Sequence, residues 1–201
     1  MADSSLGVAT LDRWRARLRG VAVSALAPLP DVRPLYWRWR YFRGGIEEIN
    51  ALLLTEKRRV VDILRLFGAT VGDGCSIYGP LYINTFTNYS NLTVGRHVHV
   101  GQCVFFDLGS RLEIADEATV SMRCTLLTHQ DVGDRPLAGR YPRREAPLTI
   151  GRGAYLGAGV IVLPGASIGD GSVVGAGAVV TRPVPPGVVV TGPAAEIKSE
   201  L

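Results

Sequence analysis

Cysteine is scarce in this 201-residue chain: Cys75, Cys103 and Cys124 are all there is. Odd in number and far apart in sequence, they exclude a disulfide framework and a zinc cluster of closely spaced thiols. They read as thiols of a reducing compartment, so the chain is expected in the cytoplasm. No apolar run is long enough to span a membrane. Residues 13–29, WRARLRGVAVSALAPLP, imitate a secretory leader, but the apolar run is short, alanine-rich and preceded by acidic residues, and secretion is not expected. Positive charge is confined to one end. Twelve of the 22 Lys and Arg lie in residues 1–65 against seven acids, while the remainder carries ten against eleven. No nucleic-acid-binding motif accompanies that excess, so nucleic acid is not an expected partner.

What the chain does have is a repeat. Ile150–Val184 reads IGRGAY LGAGVI VLPGAS IGDGSV VGAGAV VTRPV when broken every six residues. Ile150, Leu156, Val162, Ile168, Val174 and Val180 open the blocks, and Ala154, Val160, Ala166, Ser172, Ala178 and Val184 stand four residues later. A period of six fits no helix and no simple amphipathic strand, so each block is a short strand plus a corner, the signature of a solenoid. Gly151, Gly157, Gly169 and Gly175 just past the openers are expected to supply backbone conformations that residues with a Cβ reach reluctantly. Cys75 and Cys124 fall in the small inward slot and read as core filler. The same spacing accounts for GDGSVVG and GRGAYLG, which imitate a dinucleotide fingerprint without the βαβ unit that a true one requires.

The rhythm begins at Val71, is interrupted over Thr85–Leu92, slips near Phe106–Gly109, and keeps its phase across residues 130–147, because Ile114 and Ile150 are 36 apart. That stretch, with three prolines and four arginines, is expected to be an extruded loop. VVVTGPAAEIKSEL, after Pro185-Pro186-Gly187, is expected to leave the prism and run along it. Upstream, Pro28, Pro30 and Pro34 interrupt any helix that starts at Asp12. YWRWRYFR, residues 36–43, is expected to be a helix whose aromatics pack on the solenoid's end, with a peripheral membrane contact as another use of its aromatic and basic residues. Ile46–Phe67 has the spacing of one or two amphipathic helices. The expected fold is therefore an all-β solenoid with an N-terminal helical extension over residues 1–68, coils over 69–192 and a tail over 193–201.

His129 is the informative histidine of three. It occupies an outward slot at the edge of the long loop, where an imidazole can accept a proton from a hydroxyl. LLTHQ, the loop, and PLTIGRGAYLGAGVIVLPGASIGDGSVVGAGAVVTRPVPPGVVVTGPAAEIK together resemble the maltose, galactoside and capsular-sugar O-acetyltransferases of the hexapeptide-repeat family. That resemblance implies a left-handed parallel β-helix, a homotrimer with sites between neighbouring prisms, and acetyl-CoA or another acyl-CoA as co-substrate, with no tightly bound cofactor. It makes His129 the catalytic base acting in a ternary complex on a hydroxyl of a sugar or secondary metabolite. It assigns the amide of Ala158 to the thioester carbonyl, Ala176 and Thr181 to the pantetheine groove, and Arg182 to the coenzyme's phosphates. Tyr155 stands where relatives have Trp, Lys198 is a substitute for a tail arginine, and Asp107 matches an acceptor-binding aspartate. Hexapeptide-repeat carbonic anhydrases use three histidines, one upstream and two close together downstream; His97, His99 and His129 have the reverse order, and no metal site is expected. The rival readings are a non-catalytic trimeric scaffold and a metal-dependent hydratase.

Overall fold

A computed structural model describes residues 31–193 and 196–200. The leader-like run and the interruptions at Pro28 and Pro30 lie outside the described residues. Residues up to Arg33 form a unit apart from Pro34–Leu201; its described part holds an ion pair between Arg33 and Asp31 at 2.7 Å.

The chain from Thr70 onward is a parallel β-solenoid of about five coils. Three columns of inward aliphatic residues hold the coils in phase. The first face stacks Val71, Val94, Ile114, Ile150, Ile168 and Val184. The second stacks Ile77, Val100, Val120, Leu156, Val174 and Val190. The third stacks Ile83, Phe106, Leu126, Val162 and Val180. All six openers of the regular repeat and all six small residues four positions later are buried, so each coil's interior is filled by three large and three small side chains.

The corner glycines act differently from expectation. Gly151, Gly157, Gly169 and Gly175 do not take a positive φ; that conformation falls two residues later, as at Gly159 with φ 72°. The first glycine is needed because the next coil's backbone passes directly over it. A Cβ on Gly157 would meet the Ala176 nitrogen at 2.6 Å, and one on Gly151 or Gly169 would meet backbone equally closely; at Gly175 the obstacle is the Thr191 side chain at 2.9 Å. In the irregular coils the positive-φ slot is held by His97, Cys103, Glu117 and Arg123.

The N-terminal helices lie against the first coil. Helix α1 (Arg33–Leu53) starts with Pro34 in its first turn, where a missing N–H costs nothing. It is broken at Gly44 and Gly45, the latter at φ 68°. Helix α2 (Val60–Leu66) follows. Ile49, Leu53, Val60, Ile63, Leu64 and Phe67 are buried, and the Tyr89 hydroxyl donates to Asn50 Oδ1 at 2.9 Å. Of the aromatics in 36–43, Trp37 is buried and Tyr41 packs on Phe67, whereas Tyr36, Trp39 and Phe42 face outward.

At the other end, Val188–Thr191 stays in the prism as another strand of the second face, within the coils expected over 69–192 and not departing straight after Gly187, because Val188 and Val190 continue the inward column. Only then does Glu196–Glu200 turn back antiparallel along it, covering an edge that would otherwise be open to pairing. Among the described residues no helix is long and apolar enough to cross a membrane. Cys124 is a buried thiol 3.2 Å from the Gly157 carbonyl oxygen, and burial pushes its pKa up to about 11.

Since the obstruction at Gly157 is backbone, it has no side chain to swing aside, and Gly157→Ala should destabilise by about 1–3 kcal/mol. Denaturant unfolding measures this; an unchanged midpoint contradicts the close approach.

Candidate active site

The steps from first to second face and from second to third are six residues in every coil. Every departure from six therefore falls at the corner between the third face and the next coil's first face. The first-face column shows it: Val71 to Val94 spans 23 residues, Val94 to Ile114 20, Ile114 to Ile150 36, and Ile168 to Val184 16. The extra residues stack along one edge of the prism, and the polar groups they carry meet there.

Asn84 and Asp107 end the strands Leu81–Asn84 and Val104–Asp107 and pair in register, with Asn84 Nδ2 donating to Asp107 Oδ1 at 3.1 Å. One coil on, the strand Thr125–Leu126 runs into Thr128 and His129 at the same edge. Asp107 Oδ2 accepts from the Thr128 amide at 2.8 Å and the His129 amide at 2.7 Å, and lies 2.6 Å from His129 Nδ1. The Thr128 hydroxyl, itself buried, donates to the Asp107 backbone oxygen and accepts from the Ser110 amide, each at 2.8 Å. Gly109 lies flat beneath the imidazole: a Cβ there would come within 2.8 Å of Nδ1.

Asp107 is 1% exposed. Burial pushes its carboxyl up, but the Thr128 amide and the His129 ring and amide together hold it below the ordinary carboxylate range. An ionised carboxylate only accepts hydrogen bonds, so in the neutral imidazole Nδ1 carries the proton and Nε2 holds the lone pair. The His129 side chain keeps 18% of its surface open. Among the described residues its ring hydrogen-bonds only to Asp107.

His129–Gln130 pairs antiparallel with Arg144–Glu145, and residues 131–143 form the exposed loop between them. Arg143 is engaged inside the hairpin by Asp131 and Glu145, and Arg140 lies over the Tyr141 ring. Beside Asn84, a cleft of about 300 Å³ is lined by Ile83, Tyr82, Phe105, Leu54, Asn50 and Glu47.

The residues expected from sequence occupy several places. Asp107, expected to hold the acceptor, is buried and lies 2.6 Å from the imidazole Nδ1. Ala158 and Ala176 stack at the corner between second and third faces, where Gly177 donates to the Ala158 oxygen at 2.9 Å. Gly157 and Gly159 donate to Val174 and Met122, so the Ala158 amide between them lies outside the ladder. Thr181 and Arg182 are exposed at the His129 edge, in the last coil. Tyr155 is 46% exposed on the second face, between Thr119 and Val173. Lys198 is at the bulge in Glu196–Glu200, its side chain outside the described residues. Asn84 and Thr128 were not singled out from sequence; the signal for Asn84 was the 23-residue spacing that aligns LYIN with VFFD. Among the described residues no three His, Cys, Asp or Glu side chains gather as metal ligands.

The model for bacterial transferase hexapeptide (six repeats) matches residues 147–182. The galactoside O-acetyltransferase of Escherichia coli (strain K12) is 30% identical over 154 residues, covering 77% of this chain and 74% of that protein. The chain belongs to the hexapeptide-repeat acetyltransferase family. As a member of that family it is an acyltransferase. Nodulation protein L of Rhizobium meliloti (strain 1021) is 36% identical over 132 residues, 64% of this chain and 68% of that one. A solved galactoside acetyltransferase in complex with coenzyme A shares the fold at a TM-score of 0.67 and 23% identity, covering 87% of this chain and 85% of that one.

The acyltransferase holds its Asp107 carboxylate ionised across the neutral range. A carboxyl whose folded pKa is depressed contributes stability that is present above its unfolded value, about 3.9, and is lost as pH falls through the folded value. The stability gap between wild type and Asp107→Asn is thus expected not to shrink from neutral pH down to about pH 5 and to shrink only below about pH 4. Denaturant melts across that range measure it; a gap closing between neutral pH and pH 5 contradicts the assignment.

Proposed function

We propose that this enzyme transfers an acetyl group from acetyl-CoA to a hydroxyl of a sugar or related hydroxylated metabolite, with His129 as general base. The observation that carries the reading is the buried Asp107 carboxylate, 2.6 Å from Nδ1, which in the neutral imidazole makes Nε2 the proton acceptor on a partly open ring. The acceptor O–H gives its proton to Nε2 as its oxygen attacks the thioester carbon. The carbonyl oxygen gains negative charge, and an N–H outside the ladder, that of Ala158, is a donor suited to it. Collapse expels the coenzyme thiolate, which takes the proton back from the imidazolium. Asp107 positions the ring and stabilises its charged form without touching substrate. The galactoside O-acetyltransferase relative supports a hydroxyl acceptor, and a fold neighbour that holds coenzyme A supports the donor.

Ala158 and Ala176 line one edge of the third face, His129, Thr181 and Arg182 the other. A site that uses both edges closes where one prism's edge meets another's, which supports a homotrimer with shared sites. A scaffold would need no ionised carboxylate buried beside an imidazole, an arrangement that costs desolvation energy.

Free thiol release with acetyl-CoA and a panel of sugars tests the reading. His129→Ala should lower turnover by about two to four orders of magnitude while coenzyme A still binds and the chain stays folded. Full activity of the variant on an acceptor that the wild type acetylates contradicts it.

A further inference from the structure

The first segment of helix α1, up to the break at Gly44 and Gly45, has two apolar faces where one suffices. At about 100° per residue, Trp37 and Tyr41 share the side turned toward the molecule, where Trp37 is buried and Tyr41 packs 5.3 Å from Phe67. Leu35, Trp39 and Phe42 share the opposite side and are 69%, 53% and 89% exposed. Tyr36 stacks on Trp39 with ring centroids 6.2 Å apart. Scattered exposed aromatics need no explanation, but three large side chains at i, i+4 and i+7, exposed together among the described residues, form a docking face.

Its charge identifies the occupant. Arg38 and Arg43 flank the stripe, Arg43 lying 5.1 Å over the Trp39 ring. Glu48, across the helix break, is held by Arg40 at 2.6 Å as well as by Arg43 at 3.1 Å, and Asp31 before the helix is held by Arg33 at 2.7 Å. Arg38 has no carboxylate partner among the described residues. Glu47 lines the cleft beside Tyr82 on the other side of the break. A short convex helix face of Trp, Phe, Leu and Tyr with basic flanks offers no groove for a protein side chain. It matches instead the boundary between lipid headgroups and acyl chains, where aromatic rings and arginine stems are at home. We propose that the Leu35, Trp39 and Phe42 face of helix α1 docks on an anionic lipid surface, Arg38 and Arg43 meeting the headgroups.

Sedimentation of the full chain with phosphatidylcholine vesicles, with and without phosphatidylglycerol, tests this. Wild type is expected to pellet with the anionic vesicles, less so at high salt, and to stay in solution with neutral ones. Trp39→Ala combined with Phe42→Ala, which leaves the buried Trp37 side of the helix intact and so keeps the chain folded, should lower binding about tenfold or more. Arg38→Glu should remove part of the salt-sensitive binding. Failure to pellet with anionic vesicles, equal pelleting on neutral ones, or a double variant that binds like wild type overturns the proposal. So does a double variant that leaves vesicle binding unaltered but changes the mass of the protein's assembly by light scattering, which makes the face a protein contact.

Discussion

Every coil of this molecule must return its inward aliphatic residue to the place held by the one before. Stacked strands share one ladder, and a single-residue slip would turn the inward set outward. Val71, Val94, Ile114, Ile150, Ile168 and Val184 satisfy that demand although they are unevenly spaced. Chain length is therefore free to vary at a corner and nowhere along a face. Two of the three corners have no slack, since a fixed six residues carries each face to the next. The third takes all of it.

That asymmetry places the chemistry. Surplus residues at one edge bring side chains that the regular repeat has no position for, and successive coils set them one above another: Asn84, then Asp107, then Thr128 and His129. The solenoid below supplies a rigid base, so the carboxylate is fixed without any mobile element. Its burial is offset by donors from three directions, which keeps it charged under a ring that would otherwise rotate freely. The hairpin that carries Arg144 and Glu145 is the largest of the surpluses, and it begins at the histidine itself.

Much of this was legible in the sequence where the repeat is strict. From Ile150 to Val180 the openers name their own burial, and the shared phase of Ile114 and Ile150 reveals that residues 130–147 lie outside the count. Physical reasons explain what was not legible. The glycines after the openers showed that a Cβ is excluded, but not whether a backbone dihedral or a passing backbone excludes it; only the stacking of Gly157 under Ala176 decides. Asn84 was hidden because the insertion after it masks its register with Asp107. Asp107 itself was visible, but its role turns on burial at a corner, which a linear pattern does not express. Val188–Thr191 looked detached because Pro185 and Pro186 break the rhythm, yet the break shortens the corner instead of ending the prism.

The central claim is that Asp107 acts through His129 and has no separate contact with substrate. A double-mutant cycle on kcat/KM with His129→Ala, Asp107→Asn and the pair together tests it directly. Residues that act as one unit are non-additive, so the double variant is predicted to be no slower than His129→Ala alone. Losses that add in full, as for two independent contacts, would contradict the account.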